Sequence, residues 1–321
     1  MLNIVQQLAR STRPIDGVVL LDKPVGITSN AAIQRIKRAF GAAKAGHVGT
    51  LDPLASGLLP VCLGEATKFS TDAFGADKSY EAELLLGVTT ATGDTEGEIL
   101  TRQVVAVTRD EVLAALRRFT GELAQVPPMY SALKRAGKPL YAYARAGQTV
   151  ERAPRSITIH EIALLGMASE RVRISVKCSK GTYIRVLAED IGSVLGCGAT
   201  LAGLRRTSLG VFEVRQSVAL DGLEASSMAQ RMATLLPVDC LVSGLPVLVL
   251  APEVEARIVK GQSALPAAPG CEGMVRLYDQ HGGFLGLGEV QPGGRLVPKR
   301  LLAVSAAGNA LGELLQASKI A

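Results

Sequence analysis

The chain has no tryptophan and only 4% aromatic residues, so aliphatic side chains must do most of its packing. No apolar run approaches the roughly 20 residues that a membrane-spanning helix needs. The N-terminal stretch 1–13 holds two arginines but no long apolar core of a secretory signal. A short leader over 1–15 and a cytoplasmic protein without membrane contact are the expectations these absences set. Histidine is scarce: His47, His160 and His281 are too widely spaced to suggest a ligand cluster. The five cysteines, at 62, 178, 197, 240 and 271, form no C-x-x-C and no zinc-finger spacing. They read as small core or surface residues in a reducing compartment, and no metal site is expected. Neither a tandem repeat nor a low-complexity tract is present.

What remains is ample for a globular fold. With 321 residues, 48% of them hydrophobic, the chain can hold one large domain, or a large domain with a small appendage. Lysine and arginine outnumber aspartate and glutamate 35 to 29, a net charge of +6. That balance permits a nucleic-acid partner without requiring one.

Periodicity sets out the elements. Val18-Val19-Leu20-Leu21 reads as a buried strand, followed by a helix capped among Thr28, Ser29 and Asn30. Ile33, Ile36 and Phe40 lie on one face of that helix and Gly41 stops it. An apolar strand at 58–63, a short helix from Glu65 and a strand over 80–86 come next, then a polar loop over 89–97. Thr108 and Glu111 make a capping-box pattern before a helix carrying Val112, Leu113, Leu116 and Phe119. Residues 171–178 alternate as a half-exposed strand, 179–182 turn, and 183–191 continue as helix. A second unit is expected from 245, with a helix at 252–259 and three strands at 273–278, 284–290 and 296–304 in a barrel-like pattern. These patterns alone imply mixed α and β with a C-terminal β module.

Two stretches carry chemistry. Residues 134–155 hold six lysines or arginines against the single acid Glu151, with Tyr141 and Tyr143 among them. Arginine meets phosphate and rings stack on bases, so this composition suits an RNA-contacting segment; an exposed helical hairpin packed by its tyrosines is the other reading. The second stretch is Gly46-His47-Val48-Gly49-Thr50-Leu51-Asp52-Pro53-Leu54-Ala55-Ser56-Gly57. It is a glycine-punctuated loop that places one carboxylate between Leu51 and Pro53. Taken alone, Asp-Pro reads as a turn.

That loop resembles the catalytic loop of the TruB family of tRNA pseudouridine synthases, G-H-x-G-T-L-D-P-x-A-x-G, with every fixed position filled. Further elements are similar to the same family: Asp22-Lys23-Pro24 to its D-K-P, Lys78-Ser79-Tyr80-Glu81-Ala82 to its K-x-Y-x-A, and Gly181-Thr182-Tyr183-Ile184-Arg185 to its G-T-Y-I-R. The likeness covers residues 16 to about 215. Over 245–304, G-x-F-L-G-L-G-E and L-V-P-K-R resemble a PUA domain, an RNA-binding module. The resemblance implies an α+β fold: a mixed, mainly antiparallel sheet flanked by helices over 16–244, then a small PUA-like β domain over 245–304 and a tail over 305–321.

It also implies an isomerase that converts uridine to pseudouridine at position 55 in the T-loop of tRNA, as a monomer that needs neither cofactor nor metal. By that likeness Asp52 is the catalytic carboxylate, Arg185 its buried cationic partner, and Tyr80 the ring that stacks on the flipped base and handles the C5 proton. His47 wedges into the T-loop, Tyr183 and Leu204 line the pocket, Lys23 scaffolds it, and Asp94 contacts RNA. A guide-RNA-dependent relative sharing core and PUA module is the nearest alternative, and the basic segment 124–155 favours stand-alone recognition. A non-catalytic chaperone that folds tRNA is the alternative of another class.

Overall fold

The strand β1 (Gly17–Lys23) is buried on both faces, which is why Val18–Leu21 runs apolar without alternation. Helix α1 (Ser29–Phe40) follows. The Thr28 hydroxyl accepts from the Ala31 N–H, and Gly41 at φ 63 ends the helix in the left-handed conformation. The short β2 (Ala45–His47) and the long β3 (Ala55–Leu63) pair antiparallel and hold the loop 48–54 between them. A 3-10 turn, Gly64–Phe69, leads to β4 (Lys78–Leu86), in which the alternate residues Tyr80, Ala82, Leu84 and Leu86 are buried. The computed structural model describes residues 15–71, 75–131, 133–265 and 272–303. The expected leader up to residue 14, Cys271 and the tail from 305 lie outside the described residues.

The polar stretch 89–97, expected to be loop throughout, begins with β5 (Val88–Thr90), paired to β6 (Ile99–Arg102). Helix α2 (Arg109–Arg117) opens on a reciprocal capping box between Thr108 and Glu111 and buries Val112, Ala115 and Leu116. After β7 (Gly121–Gln125) the basic segment forms a small hairpin, β8 (Lys134–Arg135) and β9 (Lys138–Pro139), followed by one turn of helix, α3 (Leu140–Ala144). It is not the helical hairpin that was the alternative reading. The Tyr143 hydroxyl donates to the Arg135 carbonyl at 3.2 Å, and the Lys138 ammonium stands 4.5 Å above the same ring.

The chain continues through β10 (Arg155–Ala168), β11 (Arg171–Cys178), α4 (Ile184–Val194) and β12 (Ala199–Leu209). Then come β13 (Phe212–Glu213), β14 (Val218–Ala219), α5 (Leu220–Ala225) and α6 (Met228–Ala233). The C-terminal unit consists of β15 (Val247–Val249), α7 (Pro252–Ile258), β16 (Gly273–Tyr278), β17 (Phe284–Gln291) and β18 (Arg295–Leu301). Its sheet has four strands, because β15 adds in parallel to the three that periodicity announced.

The large sheet runs β14-β1-β3-β12-β4-β11-β10-β7, with β2 also on β3 and β13 on β12. Only β1/β14 and β3/β12 are parallel, so the sheet is mixed and mainly antiparallel, and the fold is α+β as expected. One face carries α1, α2 and α4 over a core that includes Val19, Leu21, Leu84, Val112, Ile174 and Leu187. On the other face Leu20, Leu58 and Cys62 pack against Tyr278, Phe284 and Leu287 of the C-terminal unit. That unit also has a core of its own around Val275, Leu277 and Ile258. Periodicity announced neither β7, β10 nor the central strand β12; in β12 Gly203 punctuates the strand, and Arg205 and Arg206 interrupt its apolar pattern. No described helix is long and apolar enough to cross a membrane.

Candidate active site

Four neighbouring strands each place one residue in a single row. Lys23 of β1 lies opposite Gly57 of β3, Gly57 opposite Arg206 of β12, and Arg206 opposite Tyr80 of β4. Directly paired residues point to the same face of a sheet, so Lys23, Arg206 and Tyr80 line one floor. Leu204, paired to Ala55 and Ala82, lies in the neighbouring row. The loop carrying Asp52 sits at the edge of this floor, between β2 and β3.

Short hydrogen bonds fix that loop. The buried Ser29 hydroxyl, at the start of α1, both donates to the Leu51 carbonyl and accepts from the Leu51 N–H, each at 2.8 Å. Gly26 N–H donates to the Pro53 carbonyl at 2.8 Å, and Ala55 N–H to the Asp52 carbonyl at 3.1 Å. The backbone of Asp52 is thereby held on both sides, while its carboxylate stays 46% exposed.

Arg185 reaches that carboxylate from the first turn of α4. Tyr183, in the N-cap position, is pinned by Gln125 at the end of β7. Its N–H donates to Gln125 Oε1 at 2.8 Å, and Gln125 Nε2 donates to its carbonyl at 3.1 Å. The start of the helix is therefore set by the edge of the sheet. Arg185 Nη2 lies 3.0 Å from Asp52 Oδ2, its Nε lies 3.6 Å from Asp94 Oδ2, and its remaining N–H groups donate to the carbonyls of Thr92 at 2.8 Å and Tyr130 at 2.7 Å. The guanidinium is 7% exposed. The expected Asp52–Arg185 pair is present, but it is buried on the arginine side only; the half-open carboxylate keeps access to a substrate.

Asp94 lies behind this pair. It is buried, accepts from the Thr92 hydroxyl at 2.6 Å and the Glu96 N–H at 3.1 Å, and holds Arg185 in place. Its carboxylate therefore faces Arg185 and its own loop rather than an open surface where RNA would lie. Lys23 is likewise fully buried: its ammonium donates to the carbonyls of Pro24 at 2.8 Å and Ile27 at 2.7 Å, so it braces the floor from beneath. His47 and Tyr183 are half-buried at the rim.

The electrostatics follow from burial. Burial pulls Lys23 down to about 8, against the opposing attraction of Asp52 and Glu96. His47 is pushed below the ordinary imidazole value by burial and by the nearby Arg206, so its ring is neutral at pH 7. Burial raises Tyr80 and Tyr183 above the ordinary phenol value, with Arg206 the main opposing influence on Tyr80; both phenols keep their protons at neutral pH. Glu96, in the same loop as Asp94, is raised by burial and by the carboxylates of Asp94 and Asp52.

The structure thus brings Asp52, Arg185, Asp94, Tyr80 and Lys23 together, with Leu204 in the neighbouring row of the sheet and Tyr183 two residues before Arg185. Sequence reasoning missed Ser29, Gln125 and above all Arg206. The one signal that was available for Arg206 is a charged residue in a stretch that otherwise reads as core, Leu201 to Leu209.

The TruB family pseudouridylate synthase N-terminal domain matches residues 37–184. The tRNA pseudouridylate synthase B C-terminal domain matches 185–243, and the pseudouridine synthase II TruB C-terminal domain matches 246–302. The tRNA pseudouridine synthase B of Methylobacillus flagellatus is 53% identical over 296 residues, covering 92% of this chain and 98% of its own. That of Burkholderia mallei is 54% identical over 300 residues, covering 92% and 99%. Among solved structures, a chain of a Cbf5-Nop10-Gar1 complex matches with a TM-score of 0.68 at 26% identity, over 91% of this chain and 87% of that one. A chain of an H/ACA RNP bound to a substrate RNA, at 24% identity and a TM-score of 0.68 over 92% and 87%, shares the fold. With half of all residues identical to such relatives along nearly the full length, and three family matches in order from 37 to 302, the chain belongs to the TruB family of pseudouridylate synthases.

Proposed function

We propose that this protein isomerises uridine to pseudouridine in tRNA, at position 55 of the T-loop, acting alone and as a monomer in the cytoplasm. The observation that carries the reading is the Asp52 carboxylate: half open, 3.0 Å from a buried arginine, at the edge of a floor that includes Tyr80. Curated relatives at 53% and 54% identity are tRNA pseudouridine synthases, which supports tRNA as the substrate.

The reaction breaks the N1–C1′ bond, turns the base, joins C5 to C1′ and releases the C5 proton. Nothing is oxidised and no group is added, so the chemistry falls to the side chains. Asp52 is the catalytic carboxylate; acting covalently, it splits one hard step into two easier ones. Addition at C6 of the base, and attack on or deprotonation of the sugar, are the two routes open to it. Arg185 pairs with the carboxylate at 3.0 Å and aims it, and Asp94 holds Arg185 in place. Tyr80 offers a ring for the flipped base to stack on and a protonated hydroxyl that relays the C5 proton. His47, neutral at pH 7, acts by shape where the base leaves the T-loop. The exposed basic hairpin at 134–145 grips the T-arm through phosphate contacts and stacking, and the C-terminal unit adds RNA-binding surface.

Site-resolved mapping of pseudouridine in an unmodified tRNA transcript, incubated with the purified protein and no guide RNA, tests the reading. Conversion at position 55 alone, absent when that position is cytidine, is the expected result. Conversion only when a guide RNA is added would favour the guide-RNA-dependent alternative.

A further inference from the structure

Arg206 is the largest side chain among those fully buried, with no exposed surface at all. A buried guanidinium normally faces a carboxylate, because an uncompensated charge in the interior is expensive. Among the described residues Arg206 forms no ion pair with one. Its bonds go elsewhere: Nη2 donates to the Gly49 carbonyl at 2.8 Å and Nε to the Leu58 carbonyl at 2.7 Å. Gly49 and Leu58 bracket the segment 50–57 that contains Asp52, so one side chain holds both stems of that loop. Tyr80 stands directly beside it: the two residues are paired across β12 and β4, and the attraction of the phenol for the guanidinium offsets part of the cost of burying the charge.

Two glycines of the loop are fitted to this arginine. A Cβ at Gly49, where φ is 71, would lie 3.0 Å from Arg206 Nη1. A Cβ at Gly57, where φ is 98, would lie 2.3 Å from the Arg206 carbonyl oxygen, so β3 and β12 reach their spacing only with glycine there. Backbone pairing adds the last constraint, since Arg206 stands between Gly57 and Tyr80 in the same row.

We propose that Arg206 is a positioning residue for the isomerisation: its guanidinium fixes the Asp52 loop and the Tyr80 hydroxyl at one mutual separation. The proposal rests on the roles assigned above to Asp52 and Tyr80. A cation that served stability alone would be better replaced by an apolar side chain of similar volume. What this one supplies is a rigid tie between both stems of the Asp52 loop and the strand position opposite Tyr80. A displacement of about 1 Å between reacting groups is enough to cost about 100-fold in rate.

The test compares wild type with Arg206→Lys and Arg206→Met in the full chain. Lysine keeps the charge but lacks the fork that reaches the two carbonyls of Gly49 and Leu58 at once. For Arg206→Lys the expected result is cooperative unfolding, tRNA affinity within about threefold of wild type, and kcat lower by about 100-fold at a temperature where the protein is fully folded. A kcat within threefold of wild type would overturn the proposal, whatever happens to Tm. Arg206→Met is informative if it folds, and Arg206→Lys carries the test if it does not.

Combining Arg206→Lys with Tyr80→Phe separates the two arms. A smaller loss from Arg206→Lys in the Tyr80→Phe background supports the hydroxyl link, and fully multiplicative losses overturn it. Amide hydrogen exchange over 50–57 is a readout that needs no substrate. Exchange at least tenfold faster in Arg206→Lys, with global stability retained, supports the clamp, and unchanged exchange overturns it. If wild type converts no uridine in any tRNA, the function itself is wrong, and the exchange measurement still decides whether Arg206 clamps the loop.

Discussion

Arg185 meets the half-exposed Asp52 carboxylate at 3.0 Å, while its guanidinium is buried and backed by Asp94 at 3.6 Å. The pair is therefore asymmetric. The cation is desolvated and held by two carbonyls and a second carboxylate, and only the outer carboxylate is free to meet a substrate. An arginine so placed has its geometry fixed before the substrate arrives, which is how a site aims a nucleophile without reorganising.

Asp94→Asn tests this backing. The amide keeps an acceptor for Thr92 and Glu96 but removes the charge facing Arg185. Loss of a hydrogen-bonded charge from a buried site is expected to lower unfolding free energy by about 1–3 kcal/mol. We expect kcat to fall by about tenfold or more with tRNA affinity little changed, as for an interaction realised in the transition state. Urea titration and steady-state kinetics measure both. In an Arg185→Met background the same change should have a much smaller effect on kcat, because the two residues act as one unit.

Ser29 lies outside every sequence motif yet holds Leu51 by two bonds. Ser29→Ala leaves a buried N–H and a buried carbonyl without their partner, a loss of about 1–3 kcal/mol for a group so orphaned. Because Leu51 directly precedes Asp52, kcat should fall while tRNA affinity stays near wild type. An unchanged kcat in the folded variant would show that the loop keeps its shape without the clamp.

His47 gives a pH prediction. Its folded-state pKa lies below the ordinary value, for which burial is the main cause. Between that lowered value and about 6.5 the unfolded chain binds more protons than the folded one. Stability therefore falls as pH drops through this window and is retained above it. The difference in Tm between wild type and His47→Phe should change in wild type's disfavour as pH is lowered below 6.5. Proton NMR of the imidazole should give a midpoint below 6.5, and a midpoint above it would contradict the neutral wedge.

The site was legible in the sequence where its chemistry is local. The Asp52 loop is one continuous run, and Arg185 sits four residues after Gly181 in a second. The capped helices and the C-terminal strands were legible because caps and alternation are short-range signals. What stayed hidden depends on partners far apart in the chain. Arg206 looks like a surface charge until the sheet brings the carbonyls of Gly49 and Leu58 to it, and Asp94 looks like a polar loop residue until Arg185 arrives 91 positions later. The strand β12 was masked for the same reason: Arg205 finds Asp22 at 2.7 Å and Arg206 finds the stems of the loop, contacts that no periodicity encodes.

The central claim is that Asp52 drives the isomerisation. The most direct measurement is tritium release from tRNA transcript labelled at C5 of uridine, comparing wild type with Asp52→Asn in the absence of guide RNA. C5 must lose its hydrogen when the carbon–carbon bond forms, so release reports the reaction itself. The account predicts steady release by wild type and none above background by an Asp52→Asn protein that still folds and binds tRNA. Release by Asp52→Asn at a rate near that of wild type would contradict it.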